Sequence, residues 1–272
     1  MTTKHRYGEM TWPEVPEAVR QQRAVVVPVG TIEDHGRHLP LDTDLLLVSE
    51  ICDRACQRIP TEAVVVPPVG HGYSPHHSDF PGPTSVSATT LMDYVAEVCL
   101  SIAHHGFTHL VIVNGHSPNI SVLDLAARKT ALETGGKVLC AALSYWGLAK
   151  LRQEAGKVRE SDAGGMAHAC ELETSLYLAL KPELVDMSQA VNDRGFPTSA
   201  SFGRDMFLRN PGGSQVSMMV YWSAVSETGV VGDAARATRE KGERLLEAAI
   251  EGLIAFIREF RQVPVRPRVD HH

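Results

Sequence analysis

PVGTIEDHGRHLPLDTD, residues 28–44, places three Asp, one Glu and two His directly after the apolar run AVVVPV of residues 24–29. A short run of apolar, mostly β-branched residues bounded by turn signals is typical of a buried strand. In an open parallel sheet, ligands bind in the crevice at the carboxyl ends of the strands. The stretch therefore indicates an α/β fold and a candidate functional site at the end of the first strand.

The same alternation of apolar runs and amphipathic stretches continues along the chain. Further buried strands are predicted at AVVVPPV (63–69), HLVIVN (109–114) and KVLCAAL (137–143). Helices are predicted where apolar residues recur at intervals of three and four, at 42–59, 88–105, 119–133 and about 234–260. This order predicts an α/β domain with a mainly parallel sheet and helices on both faces. We expect one domain over residues 1–272.

Residues 155–215 lack this regularity. They contain Gly164-Gly165, the segment NDRGFPTSASFGRDMF (192–207) and Pro211-Gly212-Gly213. The composition predicts long loops, and long loops inside a compact domain are usually functional.

The composition limits the partners of the protein. A net charge of −6 gives no electrostatic reason to bind nucleic acid or an anionic membrane. No apolar run approaches the roughly 20 residues that a membrane-spanning helix needs. The five cysteines are odd in number and match no zinc-finger spacing, which predicts reduced thiols in a cytoplasmic protein.

Three predicted strands are each followed by histidine. Glu33 and His35 are two residues apart, so in an extended segment both side chains reach the same site. Asp44 begins the next element, where it either caps the helix or bridges two ions. His116 follows Gly115, which permits a sharp turn. Two His and two carboxylates suit Zn²⁺, Mn²⁺ or Fe²⁺, although spacing alone leaves ligands and ordinary loop residues equally open.

Other catalytic signatures are mostly missing from the sequence. It contains no G-x-S-x-G, no H-E-x-x-H and no G-x-x-x-x-G-K-[ST]. One rival is the Cys170–His168 pair in HACELETS, which could form an activated thiolate. A small buried cysteine is the interpretation that we favour there.

Five segments resemble motifs of the creatininase (creatinine amidohydrolase) family. VGTIEDHGRHLPLDTD is similar to its Glu-x-His-Gly-x-His-Leu-Pro-x-x-Thr-Asp segment. HHSDFPGPTSV, VNGHSPN, HACELETS and ETGVVGD resemble four further family segments and follow in the family order, up to residue 233. The resemblance implies a three-layer α/β/α sandwich, a two-metal site and hydrolysis of a small C–N bond. It also implies a homo-oligomer, with a hexamer expected.

The resemblance further implies roles for individual residues. Glu33 and His116 would hold one metal, His35 the other, and Asp44 would bridge them. His168 matches the family's proton-shuttling histidine. In creatininase itself a Glu completes the second metal site at the position of Pro118, and that departure argues against creatinine as the substrate. We expect Glu173 to supply the missing ligand and to take part in catalysis. Predicted substrate contacts are Ser74, His77, Ser117 and Cys170. The family usually has Gly at the position of Cys170.

These inferences predict a metal-dependent amidohydrolase that acts on a small, cyclic or formylated amide through a metal-activated hydroxide. Two divalent ions are expected, Zn²⁺ first, with Mn²⁺ or Fe²⁺ as alternatives. The small-molecule substrate is not identified by the shared motifs, and hydrolysis of a cyclic ketone or a small peptide stays open. A non-catalytic metal-binding scaffold is the alternative from another class, which the presence of His168 disfavours.

Overall fold

The computed structural model describes residues 3–197, 203–207 and 218–272. The α-helices within these ranges are α1 (Val15–Arg20), α2 (Thr43–Arg58), α3 (Ala88–His104), α4 (Ile120–Glu133), α5 (Ala149–Val158), α6 (Glu171–Leu180) and α7 (Arg239–Phe260). The strands are β1 (Ala24–Val29), β2 (Ala63–Val65), β3 (His109–Asn114), β4 (Leu139–Ser144), β5 (Met166–His168), β6 (Asn192–Asp193) and β7 (Val231–Asp233).

Four parallel strands form the central sheet in the order β2-β1-β3-β4. Side chains alternate across a sheet, so β1 contributes to two separate cores. Val26 packs with α2, α5, α6 and α7 on one face, whereas Val25 and Val27 pack with α1, α3 and α4 on the other. The predicted three-layer α/β/α sandwich with a mainly parallel sheet is confirmed.

The strands of the central sheet begin and end close to the predicted positions. β1 and β3 have the predicted bounds, and β4 is displaced by one or two residues. β2 ends at Val65 instead of residue 69, because Pro67 and Pro68 have no N–H to donate to the ladder. α7 begins at Arg239 instead of 234, since the Thr238 side chain accepts a hydrogen bond from the Lys241 N–H and caps the helix there.

The prediction of long loops across residues 155–215 is wrong in part. β5 and α6 both lie in this range, and β5 pairs antiparallel with β7 in a second, three-stranded sheet. Residues 171–177 of α6 are all buried, so no polar face marks the helix in the sequence. Residues 192–197 and 203–207 are mostly irregular, while Pro211-Gly212-Gly213 lies outside the described residues.

Two glycines bring the start of α2 against the ends of β1 and β3. A Cβ on Gly30 would lie 2.5 Å from the Leu45 Cα, and a Cβ on Gly115 would lie 2.7 Å from the Asp44 carbonyl oxygen. Any side chain at either position would push the first turn of α2 away. The glycines therefore place Asp44 at the carboxyl edge of the central sheet.

None of the helices in the described residues combines the length and the apolar character required to cross a membrane.

Candidate metal and active site

The predicted ligand residues meet at the carboxyl edge of the central sheet. Glu33 and His35 lie in the loop after β1, Asp44 lies in the first turn of α2, and His116 follows β3. All four side chains are buried, with Glu33 and His35 fully inaccessible to solvent. The Asn114 side chain holds the turn after β3 by accepting from the His116 N–H and donating to the His116 carbonyl oxygen.

Asp44 stands between the two histidines. Its Oδ1 lies 3.2 Å from His35 Nε2, and its Oδ2 lies 3.0 Å from His116 Nδ1. His116 Nδ1 is also 3.1 Å from Glu33 Oε1. Asp42, not Asp44, occupies the N-cap position of α2, and neither side chain caps the helix. The geometry of Asp44 therefore resembles that of a shared ligand more than that of a helix cap.

A tight turn brings His168 and Glu173 to the same site. His168 ends β5, Ala169 adopts a left-handed backbone with φ of 49°, and Cys170 precedes α6. A non-glycine residue in this region costs roughly 1–2 kcal/mol, so the surrounding packing holds the turn in place. Ligand atoms of His35, His168 and Glu173 all lie within 4.8 Å of one another.

Burial and mutual charge shift the ionisation of this cluster. Burial alone would lower the pKa of His35, but Asp44, Glu173 and Glu33 raise it to about 10. The pKa of His116 is likewise raised to about 10, because Glu33 and Asp44 outweigh burial. Burial raises the pKa of Glu173 to about 7 and also raises that of Glu33. The buried carboxylates therefore favour positive charge on the imidazoles of His35 and His116.

The backbone of Asp34 fixes the tautomer of His168. His168 Nε2 donates to the Asp34 carbonyl oxygen at 2.8 Å, which leaves Nδ1 unprotonated and 3.6 Å from Glu33 Oε1. Burial, with a contribution from His35, lowers the pKa of His168 well below its usual value. His168 is therefore neutral here and presents a free acceptor nitrogen to the cluster.

The four predicted substrate contacts differ in their burial and in their distance from the cluster. The Ser74 hydroxyl donates to Glu33 Oε2 at 2.5 Å, and His77 Nδ1 contacts Asp34 Oδ1 at 2.5 Å. Ser117 is exposed beside the site. Cys170 is fully buried behind Glu173, with Sγ 3.5 Å from Glu173 Oε2. Burial raises the pKa of the Cys170 thiol well above its usual value, which disfavours the thiolate mechanism.

The site opens through two connected cavities. The inner pocket, about 30 Å³, is lined by His76, His77, Trp222 and five members of the cluster, which are Glu33, Asp44, His116, His168 and Glu173. It accommodates about two water molecules. The outer cleft has a volume of about 570 Å³. Ser117, Pro118, Trp146, Ala167, Arg204 and Met206 line both cavities.

Sequence reasoning missed several residues of the site. Asp34 contacts His77, the Trp222 ring stacks on His77 at 5.0 Å between centroids, and Arg204 borders both cavities. His76 also lines the inner pocket. The doubled histidine of SPHHSDFPG was a usable signal for His76. Trp222 and Arg204 lie in irregular segments, where no periodic pattern indicates a position in the fold.

Sequence comparison identifies the family to which this fold and site point. The model of the creatininase family, described as creatinine amidohydrolase, matches residues 8–257. The creatinine amidohydrolase of Pseudomonas putida is 32% identical over 264 residues, covering 93% of this chain and 95% of that protein. The chain belongs to the creatininase family, as a member other than creatininase itself, and it is a hydrolase of the amidohydrolase type.

Two further relatives carry other names. The mycofactocin precursor peptide peptidase of Mycolicibacterium smegmatis is 32% identical over 241 residues, covering 87% of this chain and 85% of that protein. The 3-dehydro-scyllo-inosose hydrolase of Thermotoga maritima is 27% identical over 272 residues, covering 94% of this chain and 83% of that protein. Similarity of this degree therefore extends to hydrolases with different named substrates.

Solved creatininase structures share the fold. One crystal structure superposes with a TM-score of 0.77 at 31% identity, covering 95% of this chain and 99% of that chain. A creatininase variant described as zinc–zinc type superposes with a TM-score of 0.78 at 30% identity, covering 95% of this chain and 98% of that chain. A structure described as the manganese form superposes with a TM-score of 0.76 at 31% identity, covering 94% of this chain and 98% of that chain.

Proposed function

We propose that this protein is a metal-dependent amidohydrolase that cleaves the C–N bond of a small, cyclic or formylated amide. The observation that carries the proposal is the buried cluster of carboxylates and imidazoles beside His168. A single domain over residues 1–272 would supply the whole site.

The cluster fits divalent ions on its own chemistry. Glu33 Oε1 and His35 Nε2 are buried and form no well-aligned hydrogen bond among the described residues, although Glu33 Oε1 lies 3.1 Å from His116 Nδ1 and His35 Nε2 lies 3.2 Å from Asp44 Oδ1. Buried polar atoms, and buried carboxylates above all, require a partner. Within the described part of the chain, no Lys or Arg forms an ion pair with Glu33, Asp44 or Glu173. Bound cations would satisfy these atoms and balance the negative charge.

We assign the ligands as two sets that share Asp44. Glu33, Asp44 and His116 would hold one ion. His35, Asp44 and Glu173 would hold the other. Mixed nitrogen and oxygen donors suit zinc and manganese, which the names of two creatininase structures also mention. When bound, such ions supply a water of lowered pKa and polarise the amide carbonyl.

His168 would move the proton during hydrolysis. Its Nε2 is committed to the Asp34 carbonyl, so Nδ1 is the nitrogen that accepts a proton from the attacking water. The same nitrogen then donates that proton to the leaving amine. The neighbouring His77 and Trp222 rings confine the imidazole, with the His77 ring centroid 4.7 Å and the Trp222 ring centroid 5.0 Å from that of His168.

The substrate class is proposed from the names of the relatives and from the lining of the cavities. The relatives are named for creatinine, a precursor peptide and an inosose, and the first two contain amide C–N bonds. Pro118, which lines both cavities, cannot act as a ligand through its side chain, and this separates the site from that expected for creatinine hydrolysis.

A panel of lactams, formamides and short peptides tests the proposed reaction. We expect hydrolysis of at least one lactam or formamide, with release of an amine measured by a fluorogenic amine reagent. Purified protein that contains metal but hydrolyses no amide in the panel would instead favour a metal-binding scaffold.

We also propose a cytoplasmic homo-oligomer. The five cysteines are all free, which agrees with a reducing compartment. Large apolar side chains are exposed on α3 and α4, including Tyr94, Leu125 and Leu132, and exposed apolar groups of this kind favour association. Mass photometry would test the oligomer, for which the family resemblance suggests six copies.

A further inference from the structure

Arg204 lies at the junction of the inner pocket and the outer cleft. Its Cζ is 4.8 Å from the Phe196 ring centroid and 5.0 Å from the Trp222 ring centroid. Arg204 Nη2 donates to the Met218 carbonyl oxygen at 3.1 Å. The two rings and the carbonyl fix the guanidinium at the passage between the cavities.

Within the part of the chain that the structure describes, no acidic side chain forms an ion pair with Arg204, although the charge of Glu33 lies near enough to raise the pKa of Arg204. Among the described residues, no carboxylate lies within ion-pairing distance of the guanidinium, whose contacts are the two rings and the Met218 carbonyl. The stretches outside the description, residues 1–2, 198–202 and 208–217, contain no Asp or Glu. Asp205, which also lines the outer cleft, pairs with Arg159 at 2.7 Å.

An unpaired, largely desolvated guanidinium requires an explanation. Burial lowers the pKa of Arg204, yet a guanidinium stays protonated in proteins. It has five N–H donors, of which one donates a hydrogen bond to a described residue. Charges removed from water without a partner are costly, so such a group is usually retained because a ligand pairs with it.

The shapes of the cavities indicate how a ligand would lie. The inner pocket, at about 30 Å³, has room for the reacting group only, whereas the outer cleft of about 570 Å³ must hold the rest. Most side chains along the cleft are apolar, among them Tyr73, Ile120, Phe196, Met218 and Met219. A ligand that extends from one cavity into the other passes Arg204.

We infer that Arg204 binds a carboxylate of the substrate, so that the substrate is an amide with an acidic group near the scissile bond and an apolar group beyond it. This inference rests on the proposed amidohydrolase function and names its substrate class. The planar guanidinium can pair with a carboxylate through two parallel N–H···O bonds. Arg204 thereby acts as a specificity residue, which holds the substrate without touching the reacting atoms.

Binding of two matched probes tests the inference. N-acetyl-L-phenylalanine and N-acetyl-L-phenylalaninamide have nearly the same size and differ by one negative charge. Isothermal titration of the protein as purified, with its metal, should show the acid binding at least about tenfold more tightly than the amide, as expected for charged hydrogen bonds. The Arg204→Gln variant should lose this preference, and Arg204→Lys should keep part of it.

A matched control distinguishes the effect of the charge at Arg204 from the effect of the net charge of the protein. Arg128→Gln removes an exposed guanidinium on α4 that pairs with Asp124, and it should keep the full preference for the acid. Equal affinity of the wild-type protein for the two probes, including no binding of either, would overturn the inference. A preference that survives in Arg204→Gln would also overturn it, because the bound metal or another group would then hold the carboxylate.

Kinetics distinguish the failure of this inference from the failure of the proposed function. Tighter binding of the acid without hydrolysis of any amide would leave carboxylate recognition standing and remove the amidohydrolase function. Hydrolysis of neutral and acidic amides at equal kcat/KM would support the amidohydrolase function and remove carboxylate recognition by Arg204. A loss of kcat in Arg204→Gln that is equal for acidic and neutral substrates would place Arg204 in the catalytic machinery and contradict the assigned role.

Discussion

At the scale of single residues, the role of Asp44 decides whether the two proposed ion positions share a ligand. Its two carboxylate oxygens face different histidines, Oδ1 towards His35 and Oδ2 towards His116. If Asp44 bridges two ions, Asp44→Ala should remove both, whereas His35→Ala should mainly empty one position. Elemental analysis of the purified variants measures the difference.

Asp42→Ala is the matched control for Asp44→Ala. Asp42 stands at the N-cap of the same helix, and its Oδ1 accepts a hydrogen bond from the Tyr177 hydroxyl at 2.8 Å. Its loss should cost about 1 kcal/mol of unfolding free energy and leave the metal content unchanged. Equal, single-ion losses in Asp44→Ala and His35→Ala would show that Asp44 is not shared.

Substitutions of Glu173 and His168 should have different effects on metal content. Glu173→Gln should lower the occupancy of one ion and nearly abolish turnover, because a neutral amide is a weak ligand. His168→Asn should keep both ions and lose turnover, since it removes only the proton carrier. Glu171→Gln is the control: Glu171 pairs with Lys241 at 2.6 Å, so its loss should destabilise the fold while the ions remain. Metal loss in His168→Asn and not in Glu173→Gln would reverse the two roles.

The histidines of the site should make the chelated protein sensitive to alkali. The pKa values of His35 and His116 are raised from 6.5 to about 10, because neighbouring carboxylates outweigh the effect of burial. A raised pKa contributes stability that is complete below pH 6.5 and is lost as the pH rises through about 10. The Tm of the chelated protein should therefore fall across this range.

Added metal should raise the Tm most at the alkaline end, because ions compete with the same protons for the histidine nitrogens. Differential scanning calorimetry with chelator and with Zn²⁺ measures both effects, and His35→Ala should show a shallower decline. A Tm of the chelated protein that rises between neutral and alkaline pH would contradict the assigned protonation.

The sequence predicted the residues of the buried cluster better than it predicted the walls of the site. Glu33, His35 and His116 follow buried strands directly, and parallel strands must end at one edge. Arg204 and Trp222 could not be predicted, because their positions depend on how irregular segments fold back over that edge. Burial of Cys170 was predicted from the residue type, whereas its position behind Glu173 is decided by the packing of α6.

At the scale of elements, the contact between α6 and α7 holds Glu173 in place. A Cβ on Gly242 in α7 would lie 1.8 Å from the Ser175 carbonyl oxygen in α6. Gly242→Ala should therefore separate the helices, destabilise the protein by about 1–3 kcal/mol and lower the occupancy of the ion held by Glu173. Urea unfolding and elemental analysis measure the two effects.

Gly156→Ala supplies the matched control for Gly242→Ala. Gly156 is exposed in α5, and nothing lies within 4 Å of a Cβ built there. The substitution should stabilise the protein by about 1 kcal/mol, because alanine is the better helix former. A Gly242→Ala variant that is as stable as Gly156→Ala would show that the α6–α7 contact tolerates a methyl group.

Element prediction succeeded where periodicity was strong and failed where burial removed it. α3, with an apolar stripe against the sheet, and β1, a continuous apolar strand, were predicted within a residue. α6 was missed because its polar residues Glu171, Glu173, Thr174 and Ser175 are buried like its apolar ones, so polarity does not mark an exposed face. β2 was predicted too long because its apolar run continues through two prolines, which cannot extend a ladder.

At the scale of the whole molecule, the fold places a charged site beneath an apolar cleft. The central sheet supplies the buried edge, and α2 and α6 bring in the remaining carboxylates. Described residues between β6 and β7 form much of the outer wall, together with residues 117–122 at the start of α4. In such a division the outer wall can vary independently of the buried edge, and the relatives of similar sequence carry different substrate names.

Metal content coupled to turnover is the most direct test of the central claim. The protein should be purified without chelator, analysed by elemental mass spectrometry and assayed on the amide of the panel that it hydrolyses fastest. We predict between one and two equivalents of divalent metal per chain, loss of turnover on chelation and its return when Zn²⁺ or Mn²⁺ is added back. Full turnover by metal-free protein would contradict the account.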